Sequence, residues 1–341
     1  MKKFLRWLKV ECYLIKKSLR ANLSARPNGS SDNYSQLRVI LWEEARFDVP
    51  FLVLIVGSCI IASLGLLSNS AAVIIGAMVV APLMLPIRAL AFAAIEGDIL
   101  LFRQGLVSII LGTLTALVLA WLIGGIADID YGSEIFARSR PNLLDLGIAI
   151  TAGGISAYAI IEPKVSPTVA GTGIAVALMP PVCVVGLGLA QGNWLLSLGA
   201  ALLYLTNLLG ITLACMITFL LQGYTPWVQA RKALVVAGAL TSVLLVPLGI
   251  SFWELVRQSR LESSLKQALL NRTITFQRLE LVNLQTNWLV YPPEVRLTVH
   301  SREEITPKQV RLIEEFVEKA MGQPFSLVFE VSQLREVRRE E

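Results

Sequence analysis

The sequence predicts an all-α polytopic membrane protein with about seven transmembrane helices, an inverted 3+3 repeat, and a small C-terminal α+β soluble domain. The observations behind this prediction are the composition, a series of long apolar runs, and a self-similarity at a fixed spacing. Of the 341 residues, 55% are hydrophobic and only 16% are charged, and the mean hydropathy is +0.63. Soluble domains are usually about a quarter charged. The composition therefore excludes a water-soluble monomer.

Seven apolar runs are each close to the roughly 20 residues that a helix needs to cross a bilayer. They cover about 48–67, 70–95, 103–126, 143–161, 168–190, 194–221 and 230–253. After these runs the pattern changes to a mixture typical of a soluble α+β domain, assigned to residues 254–341. Its predicted elements are a polar helix at 252–270, strand-like runs at 273–288 and 294–300, a helix at about 307–321, and a strand-like run at 325–334.

Residues 1–47 are predicted to form a basic cytoplasmic amphipathic arm. Ten of the 30 Lys and Arg residues fall in this segment, which has no cleavable signal peptide. Positive charge beside a membrane domain favours contact with anionic lipid over binding of nucleic acid. Because basic loops face the cytoplasm, the N-terminus is predicted to be cytoplasmic. An odd number of spans then puts the C-terminal domain outside.

The sequence matches itself without gaps after a shift of 95 residues. The aligned pairs include Gly76 with Gly171, Leu83 with Leu178, Met84 with Met179, and Pro86 with Pro181. The loop Glu96, Gly97, Asp98 aligns with its amide counterpart Gln191, Gly192, Asn193. The shift relates a first repeat at about 48–126 to a second at about 143–221, with an extra helix at 230–253. Each repeat has three spans, so the second copy must run through the membrane in the opposite direction, an architecture found in secondary transporters.

Paired prolines mark the middle of the second and fifth apolar runs. Pro82 and Pro86 lie in the second, and Pro180 and Pro181 lie in the fifth. Proline removes a backbone donor and clashes with the carbonyl four residues earlier, so each helix should kink or break there. Two interpretations remain open: the freed carbonyls line a path for a cation or polar solute, or the two kinked helices only pack through their glycines.

Polar side chains inside the apolar runs are sparse. Arg88 lies about two turns from the cytoplasmic end of its run, so it could anchor the helix at the headgroups or act in function. Asn207 and Thr113 lie more centrally in repeat-related runs, where such groups either join helices or line a path. These residues and the four prolines are the candidates for a substrate path.

The sequence contains no signal for catalysis or cofactor binding. It has no Walker loop, no H-E-x-x-H motif and a single histidine, His300. Its four cysteines lack C-x-x-C spacing and are interpreted as packing residues, which predicts neither a disulfide framework nor a metal site. They are Cys12, Cys59, Cys183 and Cys215. We therefore expect no catalytic residue, no cofactor and no enzymatic activity.

Two core segments carry a resemblance to a known family. Residues 69–86 read NSAAVIIGAMVVAPLMLP, followed by the Glu-Gly-Asp loop at 96–98, and residues 173–181 read GIAVALMPP. Over about 48–225 the chain resembles the prokaryotic uncharacterised hydrophobic domain proteins, the domain-of-unknown-function family three-eight-nine. The resemblance implies a multi-span protein of the prokaryotic plasma membrane. It implies no activity and no catalytic residues.

The leading hypothesis is a transport protein, a channel or secondary transporter for a small solute or ion, with a homo-oligomeric assembly. The rival hypothesis is a non-transporting scaffold or stress sensor, whose basic arm binds anionic lipid and whose C-terminal domain binds a partner. A membrane enzyme acting on lipid is a third and weaker alternative, because no acid–base constellation converges at an interface.

Overall fold

The computed structural model describes residues 31–127, 131–162, 178–272, 280–287, 292–301 and 306–333. The chain divides between Phe252 and Trp253 into two compact units. Some predicted features lie outside the described residues. They are the first helical segment of the basic arm with Cys12, the half of the fifth apolar run that precedes residue 178, and residues 273–279 of the first strand-like run.

The first unit is built from helices. Their bounds are α1 Ser31–Glu44, α2 Val49–Leu67, α3 Ala71–Val80, α4 Met84–Glu96, α5 Ile99–Ile126, α6 Ser133–Ala137, α7 Leu143–Ile161, α8 Met179–Ala190, α9 Trp194–Leu221 and α10 Trp227–Arg272. Helix α10 has 46 residues and contains Pro247, and the division between the units falls within it. The sequence had predicted an apolar run and a separate polar helix in this region.

The described residues contain five single helices that are long and apolar enough to span a membrane, and a bent pair that would make a sixth. The bent pair is α3 and α4, which meet at an angle of 50°. At 1.5 Å per residue, neither half alone covers the roughly 30 Å of a bilayer core. Helix α8 is apolar but has only 12 residues. The chain is thus a helical protein suited to a membrane, and the predicted count of seven spans is not confirmed.

The 95-residue spacing recurs in the helix starts. Helices α5 and α9 each have 28 residues and begin 95 residues apart. Each follows a glycine with positive φ, 76° at Gly97 and 72° at Gly192, a conformation that glycine adopts without strain. Each is capped by the next side chain, because Asp98 accepts from the Leu101 N–H and Asn193 accepts from the Leu196 N–H.

Helices α5 and α9 run in opposite directions. Near the start of α5, the Glu96 carboxylate accepts a hydrogen bond from Thr225, which follows the end of α9. Near the end of α5, Gly124 packs against Leu187 and Ala190 of α8, the helix just before the start of α9. The loops that contain Gly97 and Gly192 therefore lie at opposite ends of the helical bundle.

Helix α1 packs on α4 and α5 as part of the main core. Leu37 and Leu41 are buried in the same cluster as the spanning helices. Two side chains of α5 bind the end of this segment: Gln104 Nε2 donates to the Trp42 carbonyl at 3.0 Å, and Ser108 Oγ donates to the Ala45 carbonyl at 2.5 Å. These bonds satisfy carbonyls that the helix end would otherwise leave unpaired.

The second unit is a small α+β fold. Its elements are β1 Glu280–Asn287, β2 Glu294–Ser301, α11 Pro307–Met321 and β3 Ser326–Gln333, with sheet order β1-β2-β3. Strand β2 pairs antiparallel with β1 and parallel with β3. The parallel pair needs a crossover, which α11 supplies. Val295 and Leu297 of the sheet pack with Ile313 of α11 and with Leu265 and Leu269 of α10 to form a core of its own.

Candidate functional site

The break between α3 and α4 lies at Pro82. Helix α3 ends at Val80, Ala81 is extended with ψ 124°, and α4 begins at Met84. Pro82 has no N–H to donate to the Met78 carbonyl, which is why a regular helix cannot continue through it. Its own carbonyl accepts from the Leu85 N–H at 3.1 Å, which starts the next helix. Backbone that departs from helical hydrogen bonding is thus placed between two apolar half-helices.

Pro86 plays a different part from Pro82. It lies in the first turn of α4, where backbone N–H groups have no partner within the helix, so its missing donor removes no bond. Its carbonyl packs closely on α5, since a Cβ atom at Gly105 would approach it to 2.9 Å. Pro180 and Pro181 occupy the first turn of α8 in the same way. The residues before this turn lie outside the described part of the chain, so the second predicted break is not described.

Arg88 forms a buried ion pair with Glu44 of α1. The Arg88 guanidinium donates to Glu44 Oε1 at 2.6 Å, and only 9% of Arg88 is exposed. Glu44 Oε2 and Arg88 Nε are buried without a hydrogen-bond partner. Burial raises the pKa of the Glu44 carboxyl, and the neighbouring Arg88 partly offsets this effect. Arg88 had been predicted to anchor its helix at lipid headgroups or to act in function, and in the structure it binds a protein carboxylate.

The Glu96-Gly97-Asp98 loop is bound from two sides. On one side, Arg38 of α1 donates to Asp98 at 2.7 Å. On the other, Thr225 donates to the Glu96 carboxylate, and Gln229 Nε2 donates to the Glu96 carbonyl at 2.6 Å. Burial and the adjacent Glu96 raise the pKa of Tyr34 in α1 to about 12. The acidic copy of the repeated loop therefore forms hydrogen bonds with α1, with Thr225 and with the start of α10.

The amide copy of this loop is more open. Gln191, Gly192 and Asn193 are all exposed, and the Asn193 side chain caps α9. The two repeated loops share their backbone conformation and cap but differ in charge, and α1 binds only the acidic copy.

Two central polar candidates lie on the long antiparallel helices. Thr113 Oγ1 of α5 and Tyr204 Oη of α9 are 2.6 Å apart and form a hydrogen bond. Asn207, one turn further along α9, is buried, with 3% of its surface exposed. The structure therefore places Thr113 and Asn207 on adjacent helices, near the middle of each.

Sequence reasoning missed the partners of these residues. Glu44 and Tyr204 carry no motif, and they lie 44 and 91 residues from Arg88 and Thr113 along the chain. The sequence also did not predict that Cys59 contacts Cys183, since the two cysteines are 124 residues apart in the chain. In the part of the chain that the structure describes, no group of three or more His, Cys, Asp or Glu side chains could hold a metal ion.

Comparison with known proteins finds a family that the central part of the chain resembles. Residues 78–213, from just before the break to α9, match the model of the Domain of unknown function (DUF389). The match confirms the resemblance drawn from the core segments. The matched residues include the four candidate prolines, Arg88, Thr113 and Asn207.

One curated relative is the uncharacterized protein MJ0678 of Methanocaldococcus jannaschii. It is 27% identical over 182 residues, which cover 53% of this chain and 57% of the relative. The chain thus matches little more than half the length of that relative. No solved structure matches this chain.

Proposed function

We propose that this DUF389 protein is a membrane transport protein, a channel or secondary transporter for a small solute or ion, in the prokaryotic plasma membrane. The observation that carries the proposal is the apolar span broken at Pro82, whose two halves meet at 50°. Non-helical backbone at membrane depth is tolerated only where protein buries it or where it lines a water-filled cavity. Transporters place their substrate sites at such discontinuous helices.

An inverted repeat is the second part of the proposal. It is supported by the equal lengths, equal caps and opposite directions of α5 and α9. In the proposed topology, α1 and the Gly97 loop face the cytoplasm and the Gly192 loop faces outside. The fifth apolar run, predicted at about 168–190, is the further crossing that brings the proposed number to seven, which leaves the unit after Phe252 outside. The proposal also includes contact of the arm 1–47 with anionic lipid, a homo-oligomeric state, and no catalytic role.

The topology makes a prediction that does not require the substrate. Leu100 and Leu195 are equivalent under the 95-residue shift, and both are exposed. Cysteine at these positions avoids the positive φ of Gly97 and Gly192, where a side chain would be strained. In a background without the native cysteines, we expect an impermeant thiol reagent added to intact cells to label Leu195→Cys and spare Leu100→Cys. The native cysteines are Cys12, Cys59, Cys183 and Cys215.

Opening the cells should make position 100 reactive, which controls for a buried or modified thiol. Labelling of both positions from outside would mean an even number of crossings between them. The inverted repeat, the second part of the proposal, would then be rejected.

The break makes a prediction about flux. Pro82→Ala restores a donor for the Met78 carbonyl and favours a continuous helix, so we expect the variant to lose most of its transport. Pro86→Ala is the matched control, because a proline in the first turn removes no helical hydrogen bond. Flux would be measured in proteoliposomes with a panel of monovalent ions and small neutral polyols. Equal loss in both variants, or wild-type flux in Pro82→Ala, would contradict a role specific to the break.

The scaffold or sensor hypothesis has one specific observation in its favour. The second unit has its own hydrophobic core, separate from the helical unit, as a partner-binding module would require. Wild-type protein that transports none of the panel, together with specific capture of one partner by residues 253–341, would favour the scaffold over transport.

A further inference from the structure

The segment that follows α5 of the first repeat reaches across to the second repeat. Tyr131 Oη donates to the Leu187 carbonyl of α8 at 2.7 Å. The same segment is fixed to the first repeat, because the side chain of Asn69, between α2 and α3, accepts from the Glu134 N–H at 2.9 Å. It therefore joins the two repeats at the end of the bundle that holds the Gly192 loop, opposite to α1.

The segment that follows α9 of the second repeat reaches in the same way to the first repeat. The ring of Tyr224 packs edge-on against Phe92 of α4, with the ring centroids 6.2 Å apart. Thr225 donates to the Glu96 carboxylate, and Gln229 Nε2 donates to the Glu96 carbonyl at 2.6 Å. These contacts join the repeats at the other end of the bundle, which we call the α1 end.

The two sets of contacts are related by the 95-residue shift. Leu187 and Phe92 are equivalent under this shift, and so are the last residues of α5 and α9, Ile126 and Leu221. The two tyrosines do not themselves align, so the match lies in the position that is contacted. In each case a tyrosine shortly after a long helix meets this position on the other repeat. Such reciprocity is what an inverted repeat requires if each copy closes one end of the other.

We propose that these two sets of contacts are reciprocal latches, each of which must release before its own end of the helical unit can open. The inference rests on the proposed transport function and its inverted repeat. Release does not require unfolding, because the Leu187 carbonyl also accepts from the Gln191 N–H at 3.3 Å and keeps that bond when Tyr131 leaves.

The two latches differ in strength. The latch opposite to α1 has one hydrogen bond between neutral groups, from Tyr131 to the Leu187 carbonyl. The latch at the α1 end has two donors, and one of them binds the Glu96 carboxylate. Hydrogen bonds to an ionised group are roughly twice as strong as those between neutral groups.

The test measures the opening of each end without a substrate. The full chain, without its native cysteines, is placed in lipid nanodiscs and carries one of two pairs of spin labels. Ile126→Cys with Leu195→Cys reports on the end opposite to α1, and Leu100→Cys with Leu221→Cys reports on the α1 end. All four side chains are exposed. The pairs are equivalent under the shift, and each has one label on α5 and one on α9. Double electron–electron resonance then gives the distribution of distances.

Each latch variant should open only its own end. Tyr131→Phe should raise the population with a longer distance opposite to α1 about fivefold, the effect of one typical hydrogen bond on a two-state population, and leave the α1 end unchanged. Thr225→Val with Gln229→Leu should do the reverse. Tyr158→Phe is the matched control, because it removes the same hydroxyl from an exposed side chain of α7 and should change neither end.

Unchanged distances in both latch variants would overturn the proposal, and so would equal lengthening at both ends from either variant. If the double variant does not fold, Gln229→Leu alone still removes one donor of the latch at the α1 end. Latch variants that open their own ends in a protein that moves no solute would reject transport and keep the latches. Transport by the wild-type protein, with distances that do not respond to the variants, would reject the latches alone.

Discussion

Glu44→Ala should destabilise the helical unit by about 3–5 kcal/mol, the usual cost of removing one partner of a buried ion pair. The change leaves the Arg88 guanidinium buried, with its nearest carboxylate gone and its Nε already unpaired. The free energy of unfolding would be measured in mixed micelles. Glu43→Ala is the matched control, because Glu43 is the exposed neighbour on the same helix and should change stability by less than about 0.5 kcal/mol.

A double variant separates the charge effect from a loss of packing. Glu44→Leu with Arg88→Met fills a similar volume without charge, and replacing a buried pair in this way is often neutral or stabilising. We expect the double variant to recover most of the loss. If Glu44→Ala and Glu43→Ala behave alike, the ion pair does not hold α1 to the bundle.

Gly186→Ala should destabilise the contact between α8 and α5 by about 1–3 kcal/mol, the range for overpacked cores. An added Cβ would lie 2.7 Å from both the Leu117 carbonyl and the Ala120 Cβ, and 2.8 Å from the Trp121 nitrogen. Backbone atoms cannot turn aside as a side chain can, so one helix must move. Thermal unfolding in detergent would report the change.

Gly57→Ala is the control for this prediction. Gly57 is also helical, but a Cβ there meets nothing within 4 Å. Alanine favours a helix over glycine by roughly 0.5–1 kcal/mol, so this variant should be unchanged or slightly more stable. A loss at Gly57 as large as that at Gly186 would show that the cost does not come from the α8–α5 contact.

The sequence predicted what depends on short stretches of chain. Apolar runs predict most of the long helices, and the matched loops at 96–98 and 191–193 indicate two equivalent connections before α5 and α9. The structure added pairs whose members are far apart in the chain, such as Glu44 with Arg88 and Thr113 with Tyr204. One sequence without its relatives contains no signal for such pairing, because any polar residue in an apolar run has many distant candidates.

Prediction from the sequence was also limited within a single segment, the one that contains Pro82 and Pro86. The sequence marked Pro82 and Pro86 alike, since each removes a donor from a helical run. Their effects differ because the helix restarts at Met84, which places Pro86 where no donor is needed. The exact restart point depends on packing between helices, including the close approach of the Pro86 carbonyl to Gly105.

The hydrogen bonds at the acidic loop have a consequence for a transporter of the proposed kind. Two repeats of equal structure would give inward-facing and outward-facing states of nearly equal energy. At the end of the bundle where α1 lies, Thr225 and Gln229 donate to Glu96, and these bonds join the first repeat to the segment that follows α9. A state that opens this end must break them. The resting population would therefore favour the state in which the α1 end is closed.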